Sequence, residues 1–214
     1  TRYISVTGVQ TCALPILDEA QLQQMIADQG AIAVPLEIQQ IFQRLTQTAM
    51  RNYSFPLGTP AWSLRAYKAK YVNAHAGAGG QVVMSSALWM AEPKYRLYEV
   101  AAILAHEVGH IILRHSIQLD CNEADWMDSG LTFAEAHEAF REDFTVESAR
   151  GQAWTNLSQK FEFEADKIAT KILQQAGLPP QFMAAALRKL KPKTEGFSSG
   201  SHPGFDARIK AVSN

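Results

Sequence analysis

The 214-residue chain is short of several things that would define other classes of protein. It has two cysteines, Cys12 and Cys121, so at most one bridge can form and a disulfide framework is excluded. It has no run of 18 apolar residues. Its most apolar stretch, Val100 to Leu113, is interrupted by His106, Glu107 and His110, so no transmembrane segment is expected. It has no excess of one charge either: 20 Lys and Arg stand against 21 Asp and Glu, without a basic run. That balance excludes the electrostatic footprint of a nucleic-acid-binding protein, and no nucleic-acid partner is expected. No internal repeat is visible. What remains, 47% hydrophobic and 19% charged residues, is the composition of one ordinary globular domain.

The first sixteen residues lack lysine, a small-residue cleavage signature and an amphipathic period, and so make a poor signal peptide. Val6 to Ile16 (VTGVQTCALPI) resembles the conceptual translation of a sequencing-adapter oligonucleotide. On that resemblance residues 1–16 are a non-native leader and residues 17–214 are a single domain. Without Arg2 and Cys12 the balance becomes 19 basic against 21 acidic residues, with one thiol. A native export signal or lipid anchor would then lie upstream of Leu17.

From Leu17 the pattern is helical, with Leu22, Met25 and Ile26 on one face up to Gly30. Pro35 opens a second predicted helix carrying Ile38, Ile41, Phe42, Leu45 and Ala49 on one side. Trp62 to Lys68 alternates, as a half-buried strand does, with Trp62, Leu64 and Ala66 inward and Ser63, Arg65 and Tyr67 outward. A second extended piece is expected near Tyr71 to Ala74, and the glycines of HAGAGGQ then turn the chain into a strand from Gln81 to Ser85. Pro93 to His115 reads as a long helix, apolar nearly all round and therefore central. The segment from Ser116 to Ser158 is polar, with a short helix expected in Phe133 to Phe144. Further helices are expected over Gln159 to Gln175, Pro180 to Leu190 and Gly204 to Val212.

Chemistry concentrates in His106-Glu107-Val108-Gly109-His110. Four residues are just over one helical turn, so both imidazoles share a face and can bind one Zn²⁺. Glu107, on the adjoining face, can reach a water at the metal without being a ligand. Three ionisable groups within five positions of an apolar helix cost several kcal/mol unless something compensates them, and a metal does. A catalytic zinc needs a third protein ligand and an open position. Glu162 and Asp166, four apart in FEFEAD, can supply a ligand and a carboxylate that orients a ligand histidine. Glu164 lies about 200° round the helix from Glu162 and reads as a solvated charge. His115 and His137 read as structural or exposed, and Cys121 as a spectator.

With these motifs the chain resembles the gluzincin zinc metallopeptidases typified by HtpX, the CAAX prenyl endopeptidase and BepA. The likeness rests on HEVGH with the following LRH, on Glu162-x-x-x-Asp166 with Ala165, on Asn73-Ala74 followed by Gly79-Gly80, and on Ser201-His202-Pro203 with Arg208 and Ile209. It covers most of Trp62 to Val212 in the family's order. The resemblance implies an α+β, mostly helical zincin-like domain with a small sheet whose edge strand lies over the zinc helix. It implies one Zn²⁺ per chain on His106, His110 and Glu162, with Asp166 behind them. It implies Glu107 as catalytic base, and His202 and Arg208 as further catalytic residues approaching the zinc. His202 could donate to the oxyanion or close the open zinc position. Substrate polypeptide would add in extended form along Asn73, Ala74, Gly79, Gly80 and Val82. His75, where the family has an apolar residue, and the lack of a proline before the paired glycines are departures.

The activity implied is zinc-dependent endopeptidase cleavage of proteins in bacterial periplasmic or cell-envelope quality control. The polar insert LDCNEADWMDSGLTF favours the soluble bacterial branch, with peripheral or lipid-anchored membrane association open. A reading from another class makes the chain a chaperone-like binding module on a protease fold, its zinc structural or blocked. An intact Glu107, which a scaffold does not require, argues for the enzyme.

Overall fold

A computed structural model describes residues 4–6, 9–11, 15–55, 58–91, 95–118, 149–194 and 204–213. Its elements in chain order are β1 (Ile4–Val6), β2 (Val9–Thr11), α1 (Pro15–Gln29), β3 (Ala31–Ile32), α2 (Leu36–Asn52), β4 (Ser63–Tyr67), β5 (Ala74–Ala76), β6 (Gln81–Ser85), α3 (Ala87–Met90), α4 (Leu97–Leu113), α5 (Ala149–Gln175), α6 (Phe182–Thr194) and α7 (Phe205–Val212). The fold is α+β, as expected. The expected helix in Phe133 to Phe144, the bulk of the polar insert, Cys12, Cys121, His137 and His202 lie outside the described residues.

Among the described residues β1 pairs with β2, while β3, β4, β6 and β5 form a four-stranded mixed sheet in that order. β4 and β6 are parallel, and the outer strands run antiparallel to their neighbours. The second extended piece is therefore displaced from Tyr71–Ala74 to Ala74–Ala76, where it can pair with Val82 to Met84. The turn between β5 and β6 depends on Gly80, held at φ +105°, with Pro60 and Ala61 so close that a Cβ would meet them at 2.7 and 3.0 Å.

α4 is the centre of the core. α2, α5, α6, β5 and β6 all pack on it, and Val100, Ala101, Ala102, Leu104, Ala105 and Val108 are almost wholly buried. The five expected apolar residues of α2 are buried against it, with Trp62 edge-on to Phe42 and Phe55. α4 begins four residues later than expected. Arg96, in extended conformation, donates its backbone N–H to the Glu99 carboxylate in a capping box, and Lys189 Nζ meets the same carboxylate at 2.9 Å.

β4 departs from the expected alternation. Tyr67, read as outward, is fully buried with Val83 and Leu22 because α1 covers the second face of the sheet.

Candidate metal centre

Two helices build the site, and their close approach is written in two small residues. A Cβ on Gly109 would lie 3.0 Å from the Ala165 carbonyl oxygen and 3.3 Å from its Cα. With hydrogen at one position and methyl at the other, α4 and α5 come near enough for α5 carboxylates to reach α4 imidazoles.

His106 Nε2 and His110 Nε2 lie 3.0 Å apart, and Glu162 presents Oε2 and Oε1 to them at 3.5 Å each. Ligands about 2.0–2.1 Å from a tetrahedral ion stand about 3.3 Å from one another, so this triangle has the size and donor set of a two-histidine, one-carboxylate metal site. The three residues are the described group able to hold an ion. Glu107, one residue along α4, is 8% exposed.

Each of the two histidines has a different support. His106 Nδ1 sits 2.9 Å from Asp166 Oδ1, close enough to feel its charge though off the line of a straight hydrogen bond. Asp166 in turn accepts two bonds from Arg208, Nε to Oδ2 and Nη2 to Oδ1, both 2.7 Å. Arg208 Nη1 also meets Glu162 Oε2 at 2.7 Å. Its guanidinium, expected near the zinc, thus engages both α5 carboxylates. Burial opposes charge on His106, but Glu162 and Asp166 outweigh it and raise its pKa to about 10 without a metal. Burial would raise Asp166, yet Arg208 and His106 hold it below the usual carboxylate value.

His110 is backed by His115, which periodicity had not placed in the site. Arg114 takes a left-handed conformation, φ 58° and ψ 40°, ending α4 and folding the next residue back. His115 Nδ1 then lies 2.9 Å from His110 Nδ1, and His115 Nε2 lies 3.3 Å from Glu164 Oε2. The His115 ring is 1% exposed and stacks on Phe161 at 4.0 Å. Burial, with the neighbouring charges of His110 and His106, lowers its pKa to about 3. Glu164 keeps its partly exposed side chain and also meets Lys160 at 3.8 Å. The LRH that follows HEVGH was the sequence signal for His115.

β5 is the sheet edge that lies along α4. Asn73 O and Gly77 N bond inward to β6, so Ala74 and Ala76 turn their backbone groups outward. Asn73 Oδ1 accepts from Ala74 N at 3.0 Å, Asn73 Nδ2 lies 2.9 Å from His75 Nε2, and Ser116 Oγ donates to Ala76 O at 3.2 Å. Gly79, Gly80 and Val82, also expected to meet substrate, are engaged within the sheet. The glycine carbonyls accept from Ala61 and Ser63, and Val82 is fully buried on a strand paired on both sides.

A family model for peptidase family M48 matches residues 35–214. The chain belongs to peptidase family M48. That membership implies a metal cofactor, and the His106, His110 and Glu162 triangle fits one. Among similar proteins, the beta-barrel assembly-enhancing protease of Yersinia pestis is 29% identical over 157 residues, 67% of this chain and 32% of that protein. The protein of the same name from Escherichia coli strain K12 is 30% identical over 130 residues, 56% of this chain and 26% of its own length. The metalloprotease LoiP of the same strain is 28% identical over 183 residues, 79% of this chain and 68% of LoiP. The chain thus spans about a third or less of the beta-barrel assembly-enhancing proteases it matches. No described helix is long and apolar enough to cross a membrane.

Proposed function

We propose that this chain is a zinc-dependent endopeptidase in which His106, His110 and Glu162 hold one Zn²⁺ and Glu107 is the general base. The observation that carries the reading is the triangle of two imidazole nitrogens and one carboxylate, closed to 3.0–3.5 Å, on the helix that carries Glu107. Two histidines and a glutamate are a known catalytic zinc set, and zinc bound there supplies Lewis-acid polarisation of the scissile carbonyl and activation of water. Glu107 takes a proton from the attacking water as its oxygen bonds to the carbonyl carbon. It then delivers that proton to the amine nitrogen as the C–N bond breaks. Asp166 orients His106, and Arg208 positions both Asp166 and Glu162. His202 remains a candidate for stabilising the oxyanion or closing the open metal position.

An extended polypeptide adds to the outward edge of β5 at Ala74 and Ala76, with Asn73 at its entry. Action on misassembled cell-envelope proteins in the bacterial periplasm or envelope, with peripheral or lipid-anchored membrane association, is part of this proposal, and similarity to beta-barrel assembly-enhancing proteases supports it. Family membership and the buried Glu107 favour an enzyme over a chaperone-like module with a structural zinc.

The test is Glu107→Gln. The variant should retain zinc and lose cleavage of an unfolded protein such as casein by roughly 10²-fold or more. Undiminished cleavage by Glu107→Gln would remove Glu107 from the mechanism.

A further inference from the structure

We propose that His115 and Glu164 are positioning residues, a proton-ordered brace that holds His110 as a metal ligand. The proposal rests on the metal-centre reading above and deepens it.

The direction of each bond follows from chemistry. A metal takes the lone pair of a neutral imidazole, so with Nε2 of His110 directed at the ion its one ring proton is on Nδ1. The partner of that proton is His115 Nδ1, 2.9 Å away. To accept it, His115 must carry its own proton on Nε2. That nitrogen faces Glu164 Oε2 at 3.3 Å, a carboxylate that accepts. One consistent pattern results, with His110 donating to His115 and His115 donating to Glu164. The outer partner of a ligand histidine fixes its tautomer and ring orientation and raises its basicity. Here that partner is a second histidine.

The fold is arranged around this contact. A continuous helix would put residue 115 about 140° round from residue 110. The left-handed Arg114 cancels that offset at a conformational cost that a bulky residue seldom bears. Phe161, stacked 8° from parallel, fixes the plane of the His115 ring. Phe161 and Glu164 are three apart on α5, so the helix that provides Glu162 also holds the brace.

Two variants separate the acceptor from the packing. His115→Asn retains an acceptor oxygen at the position of Nδ1, whereas His115→Phe retains the stacked ring and removes the acceptor. In chelator competition with Zn²⁺ on the full chain, His115→Phe should weaken apparent affinity about 10–100-fold. His115→Asn should stay within about threefold of the original chain, and Glu164→Gln should weaken it by less than about tenfold. Equal zinc affinity for His115→Phe and the unsubstituted chain overturns the proposal, as does equal loss in the Phe and Asn variants. The unsubstituted zinc-loaded chain gives a test free of folding defects. Its ¹⁵N ring shifts should place the His115 proton on Nε2, and a proton on Nδ1 overturns the brace. Failure of the unsubstituted chain to bind zinc overturns the metal reading itself, a result distinct from tight zinc with an idle His115.

Discussion

The two histidines of the proposed metal site stand one turn apart on one helix, yet the protein holds them by opposite means. His106 backs onto buried charge: Asp166, 1% exposed, gripped at two points by Arg208, which also reaches Glu162. His110 backs onto a buried neutral ring, His115, and through it onto a carboxylate at the surface. On one side an ion-pair network is shut away from water, where losing a member leaves a charge stranded. On the other an imidazole spans the distance to a carboxylate that is partly solvated and also meets Lys160. The difference teaches that equivalent ligands need not have equivalent supports, and that the Asp166 side should be the more fragile.

The largest expected effect comes from breaking the charged side. Arg208→Ala leaves two buried carboxylates, Asp166 and Glu162, with His106 as their remaining cation, and urea unfolding should show a loss of about 3–5 kcal/mol. Glu164→Gln on the other side should cost less than about 1 kcal/mol, since that carboxylate is substantially exposed. Equal losses would erase the contrast.

pH sharpens it further in the metal-free protein, because the two sides titrate in opposite senses. His106 has its folded pKa raised to about 10, so its contribution is complete below about 6.5 and is lost as pH rises through 10. His115 has its folded pKa lowered to about 3, so its contribution is complete above about 6.5 and is lost as pH falls toward 3. Asp166, also lowered, adds to the acid loss below its ordinary value. Stability of the metal-free chain should therefore peak near neutrality, and His115→Phe should flatten the acid limb while leaving the alkaline limb. Zinc must displace the His106 proton, so apparent zinc affinity should rise roughly tenfold per pH unit between pH 7 and 9.

A smaller effect is expected where the helices touch. Gly109→Ala forces a methyl against the Ala165 backbone, and thermal unfolding should report a loss of about 1–3 kcal/mol with weaker zinc binding. The smallest is a gain: Arg114→Gly relieves the left-handed strain and should raise stability by about 1 kcal/mol, read as a higher Tm.

The Asp166 side was legible from helical periodicity and the His115 side was not, for a geometric reason; only the LRH after HEVGH pointed to it. His106 with His110, and Glu162 with Asp166, are each four apart on unbroken helices, so periodicity puts each pair on one face. His115 is five beyond His110, off that face in any regular helix, and only the backbone reversal at Arg114 returns it. Arginine carries no signal for such a reversal. The same limit applies to the sheet. Gln81–Ser85 was readable from its valines and preceding glycines, whereas the burial of Tyr67 depended on α1, remote in sequence, covering a face that alternation assigned to solvent. Edge placement of β5 likewise depends on β6 inserting between it and β4, a matter of strand order that local pattern does not encode.

The most direct measurement is native mass spectrometry of the full chain and of Glu162→Ala after equilibration with limiting zinc. One zinc ion per unsubstituted chain and none on the variant is the predicted result, because two helices must close one three-ligand site. Zinc retained in full by Glu162→Ala, or absent from the unsubstituted chain, would contradict a centre built from His106, His110 and Glu162.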